Sequence, residues 1–237
     1  MLAPWLLLPC LLPGTVLVDM VVAAVDGRPI TLSELVAETK LVLLRTRDAE
    51  VADNAALTPP LLSAVLLSMV HRELLLAEVR RLQLREVPEP EVERAFQPLL
   101  KRFRGPSELY AFLDRSGFPS EPGRVVPPLV GAILRSELEV ERFLDVRVRL
   151  GLKLEPAKLL ACYEANRGFF KGRPYAEVEA RVRERLRADL EEAAIEQVLQ
   201  QLKGRSVISY APGYEPQAPE PEPLAFGFRC PVGEPGP

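Results

Sequence analysis

Histidine is almost absent from this chain: His71 stands alone among 237 residues. A single imidazole cannot supply a site built on two. Ser68 lies one helical turn before it, but no nucleophile elbow and no strand context supports a catalytic pair. Cysteine is scarce too. Cys10, Cys162 and Cys230 lie far apart, and no pair has zinc-ligand spacing. An odd, scattered count does not form a disulfide framework. The expectation is three cysteines without functional weight, no metal and no cofactor. Charge of one sign is missing as well: 30 basic against 33 acidic residues leave a net −3. That balance excludes a nucleic-acid binder working by bulk charge. Phosphate-binding glycine loops and dinucleotide fingerprints are also lacking.

What the chain does have is apolar residues, 48% of the total, and 24 prolines. That content supports one sizeable core or two small ones. Residues 21–35, VVAAVDGRPITLSEL, form the stretch that organises the rest. The apolar run Val21 to Val25 predicts a strand covered on both faces. Asp26-Gly27 suits a type I′ hairpin turn. Arg28 to Thr31 returns as a short edge strand, because Pro29 lacks an N–H. Thr31 and Glu34 have the spacing of a capping box opening a helix.

Helical periodicity predicts helices over about 32–47, 61–84, 91–104, 107–115 and 129–148, then one from Pro156 and a long one over 174–202. Pro98 is expected to kink its helix. Residues 119–128 contain four prolines and read as irregular. Ser206 to Tyr210 is the one other strand-like stretch, and it is expected to pair with Val21 to Val25, since a lone hairpin is marginal in water. From Ala211, eight prolines in 27 residues predict an extended or disordered tail in which Tyr214, Phe226 and Phe228 can dock locally. Residues 1–17 are apolar and too short to span a bilayer, so they read as the core of a signal peptide without its basic start. Lipid anchoring at Cys10 is not expected, because proline precedes the cysteine.

The stretch at 21–35 resembles the start of the SurA-type periplasmic chaperones, a family that couples a helical peptide-binding domain to parvulin prolyl isomerases. LLLAEVRRLQL, ending at Leu84, resembles that family's second helix. Gly117-Phe118 resembles its stop before a long helix. ERFLDVRVRLGLKLEPAKLLACYEANRGFF is similar to its long helix, short link and Tyr163-Glu164-x-Asn166 helix. The resemblance covers residues 18–210, departs at Pro98 and 119–128, and lacks any parvulin domain, because Phe170 leads straight into the helix at Pro174. It implies a mainly α fold of the SurA N-terminal and trigger-factor type. In such a fold the N- and C-terminal segments share a small sheet, and residues 174–210 complete the core.

By the same resemblance the chain is a non-catalytic periplasmic holdase. Its partners are unfolded or extended polypeptides, outer-membrane proteins above all, and neither nucleic acid nor an integral membrane span is expected. Phe96, Leu100, Phe103, Tyr110 and Phe112 are the candidate peptide-contacting residues, although stripes at helical spacing are usually core. The alternatives are a non-catalytic adaptor with the same fold, a member retaining weak isomerase activity, and a partner of a separate catalytic subunit.

Overall fold

The computed structural model of the chain describes residues 19–46, 55–216 and 227–232. The signal-like segment 1–17, Cys10 and Phe226 lie outside the described residues. The hairpin forms as its sequence dictates. Strand β1, Val21–Val25, and strand β2, Arg28–Thr31, pair antiparallel with Val25 opposite Arg28. Asp26 and Gly27 both take positive φ, 50° and 81°, as a type I′ turn requires. Helix α1, Leu32–Thr46, opens on a reciprocal capping box: the Thr31 N–H donates to Glu34 Oε2 at 2.9 Å and the Glu34 N–H to Thr31 Oγ1 at 3.4 Å.

Among the described residues six further α-helices follow: α2 Pro59–Arg81, α3 Glu89–Leu100, α4 Pro106–Arg115, α5 Pro128–Arg147, α6 Pro156–Ala165 and α7 Tyr175–Lys203. Proline sits in the first turn of the five from α2 to α6, where its missing N–H has no intrahelical partner to lose. Pro98 falls in the last turn of α3, so the helix stops two residues later at Leu100. The proline-rich link 119–128 is pinned rather than loose. Phe118 and Val126 are buried, and the Tyr110 hydroxyl donates to the Val125 carbonyl at 2.7 Å.

Strand β3, Ile208–Tyr210, pairs antiparallel with β1, giving the sheet order β2-β1-β3. Ala24 lies opposite Ser209, and the Ala211 N–H reaches the Val22 carbonyl at 2.9 Å. The two ends of the described core thus meet. The cover on β1 is uneven: Val22, Ala23 and Val25 are buried, whereas Val21 is 46% exposed at the start of the strand.

Three apolar clusters result. The first joins the sheet to α2, the end of α5 and the C-terminal part of α7. The second lies among α1, α3, α4 and the start of α5. Helix α2 is long and apolar enough to cross a bilayer by length and composition. Here it is the central helix, packed on α1, α5, α7 and β1.

The third cluster corrects the expectation for the cysteines and shows the local docking expected of Phe228 in the tail. Cys162 on α6 and Cys230 form a disulfide with Cα atoms 4.6 Å apart. Phe228 and Cys230 are buried against Leu159, Val178, Val182 and Leu186. A separation of 68 residues carries no sequence signal for pairing. Proximity is tertiary: Cys230 packs in the cluster that α6 and α7 build.

Candidate functional site

A cleft of about 410 Å³ opens between β2, α1, α2 and the start of α5. Its apolar lining comes from Ile30, Ala37, Met69, Leu76, Phe118 and Ile133, with Leu129 half exposed beside them. Arg28, Arg80 and Arg135 face Glu34, Glu73 and Glu139 around it. The lining is thus greasy with both signs of charge, and no sign dominates.

One ion pair in the wall is largely withdrawn from water. Arg72 on α2 donates through both Nη atoms to Glu38 on α1, each at 2.5 Å, with side chains 14% and 7% exposed. Burial opposes the Arg72 charge, but the Glu38 hydrogen bonds and the carboxylates of Glu38, Glu137 and Glu73 outweigh it and raise its pKa. Glu73 Oε2 lies 3.4 Å from Arg28 Nε and 3.5 Å from Arg80 Nη2. The oxygen is enclosed yet has no aligned hydrogen bond, so these contacts attract electrostatically only.

Strand β2 forms one wall of the cleft and is an edge of the sheet. Edge strands invite pairing with another chain, but this one offers no donor. The turn closes on Val25 and Arg28, so alternation points the nitrogen of Pro29 outward, where proline has no hydrogen. The next outward N–H, Thr31, is taken by Glu34. The cleft wall thus offers apolar side chains and no free strand N–H from Pro29 or Thr31.

The five residues expected to contact peptide do come together, in the second cluster. Phe96 and Phe112 are buried there and pack the helices together. Phe96 stacks on Tyr110 at 6.4 Å, and Phe112 meets Phe103 at 5.8 Å. Leu100, Phe103 and Tyr110 pack half-buried on the same cluster. The cleft residues went unpredicted because they come from four elements and a link that lie far apart in sequence. A faint signal existed: Glu38 and Arg72 interrupt the apolar stripes of α1 and α2.

Ser68 is exposed and His71 half-buried. The imidazole Nε2 is enclosed without a hydrogen-bond partner, and no hydrogen bond joins the two residues. Among the described residues no group of histidine, cysteine, aspartate or glutamate side chains could hold a metal ion. No family model matches the chain, and no curated protein is significantly similar to it. The likeness to SurA-type chaperones therefore rests on its motifs alone.

Proposed function

We propose that the chain is a non-enzymatic periplasmic chaperone that holds unfolded or extended polypeptide segments, outer-membrane proteins first among them. The observation that carries this reading is the cleft. Apolar walls bury a client side chain, charges of both signs tolerate varied neighbours, and the edge strand beside it does not template aggregation. The disulfide supports export, since such bonds persist in oxidising compartments. The motifs shared with SurA-type chaperones point the same way.

The test is suppression of aggregation of an unfolded β-barrel protein by the purified chain. Wild type is expected to suppress at near-stoichiometric ratio. Leu129→Asp, placed on the exposed lip of the cleft, is expected to weaken suppression several-fold with an unchanged circular dichroism spectrum. Absence of suppression by wild type overturns the reading. It would favour the adaptor alternative, which the paired surface charges Arg45–Glu137 and Arg142–Glu91 support. In a cis–trans peptide assay on the same sample, no acceleration is expected. Acceleration abolished by His71→Ala would establish the isomerase alternative.

A further inference from the structure

Residues 227–232 lie across α6 and α7 as a strap. The Phe228 ring sits 5.0 Å from Phe169 and 5.0 Å from Phe170, centroid to centroid. The Arg181 guanidinium lies 4.9 Å from the Phe169 ring and 5.9 Å from that of Phe228. Gly227 has φ of 72°, and a side chain there would meet the Phe169 ring at 2.9 Å. The pocket therefore accepts an aromatic ring preceded by a residue without a side chain.

One residue on, the strap is gripped by its backbone. Asn166 Nδ2 donates to the Arg229 carbonyl at 2.8 Å, and Asp189 Oδ2 accepts the Cys230 N–H at 2.8 Å. That carbonyl and that N–H belong to the same peptide group, so two side chains clamp one peptide bond from both sides. The clamp is built in advance. The Asp189 side chain is 2% exposed and is held by Arg185, which donates Nε to Oδ2 at 2.8 Å. Asn166 is held by the Cys162 carbonyl at 2.8 Å. An aromatic pocket beside a sequence-blind peptide clamp is how a groove recognises extended polypeptide.

We propose that the α6–α7 groove is a second site for extended polypeptide, selective for an aromatic residue preceded by glycine. The strap is its resident occupant, locked by the Cys162–Cys230 disulfide. The groove is open to an outside segment only in the dithiol state. A dithiol donor opens it: one donor thiolate attacks a cystine sulfur, and the donor's second thiolate displaces the mixed disulfide. Two electrons and two protons leave Cys162 and Cys230 as thiols and the donor as its own disulfide. This inference does not depend on the cleft.

The probe is a fluorescent peptide of residues 224–232 with serine in place of Cys230. The host is the full chain carrying Phe228→Ser and Cys230→Ser, so that its own strap no longer competes at high effective concentration. The peptide is expected to bind this host at least about tenfold more tightly than the disulfide-bonded wild type, and to lose that advantage when its Phe228 is alanine or when the host carries Asn166→Ala. Equal binding to both proteins, or indifference to the ring, overturns the proposal. So does a host that has lost its helical signal, because the strap would then be core and not occupant. A second measurement is limited trypsin digestion of wild type. Reduction is expected to speed cleavage after Arg229 while Arg181 and Arg183 stay protected. Unchanged protection of Arg229, equal cutting within α7, or a dimer joined by exchanged straps would each overturn the proposal.

Discussion

At the residue scale the buried pair Glu38–Arg72 is open to disruption by a single substitution. Removing one partner leaves the other charge enclosed, which costs about 3 to 5 kcal/mol, whereas replacing both with apolar residues is close to neutral. Glu38→Gln is expected to lower the urea midpoint strongly, and Glu38→Leu with Arg72→Met together far less; equilibrium denaturation of the three proteins checks this. His71 gives the pH dependence. Burial pushes its pKa below the ordinary 6.5, and the Lys203 charge adds to this against a weaker opposite pull from Glu196. The unfolded chain therefore binds the proton at higher pH than the folded one. The contribution is present above pH 6.5 and is lost as pH falls through the lower folded value. Between pH 7.5 and 5.5 the fall in Tm is expected to be smaller in His71→Gln than in wild type. An equal fall in both would show that other groups govern this range.

Among the elements, the strap adds to the direct packing of α6 on the N-terminal part of α7. Their cluster is small and joins the rest of the fold through α7. The disulfide restricts the unfolded chain over a separation of 68 residues, and bonds of this kind contribute about 2 to 4 kcal/mol. Cys230→Ser is expected to lower the melting temperature, and hydrogen exchange is expected to rise first in α6 and the start of α7. Exchange rising first in β1 and α2 would contradict this. The tail carries Phe228 and Cys230 into the third cluster, so its loss removes buried contacts as well as the disulfide. Removal of residues 217–237 is expected to lower stability by at least as much as Cys230→Ser.

For the whole molecule, the pairing of β1 with β3 ties together segments about 180 residues apart, as the Val207 N–H to Asp26 Oδ1 bond of 2.8 Å illustrates. Such contacts form late because loop closure precedes any gain from them. Truncation after Gly204 removes β3 as well as the strap and leaves Val22 and Asp26 backbone groups without partners. It is expected to destabilise more than removal of 217–237. Equal melting temperatures for the two truncations would show that β3 contributes nothing.

The order of elements followed from the sequence because local physics set it. Asp26-Gly27 can take two positive φ values, Thr31 and Glu34 cap each other across one turn, and proline starts helices where no N–H is lost. The closing strand was legible too, since Val22, Ala23 and Val25 needed cover and few other segments could supply it. Position in space was legible only where such a need was local. Phe96 and Phe112 have the pattern of any amphipathic stripe, and whether a stripe faces a neighbour or water depends on which helix arrives opposite. The cleft is assembled from β2, α1, α2, Phe118 and α5, so no window of sequence contains it. The strap is the extreme case: Cys162 and Cys230 become neighbours only in the folded chain, where residues 227–232 lie against Asn166 and Asp189.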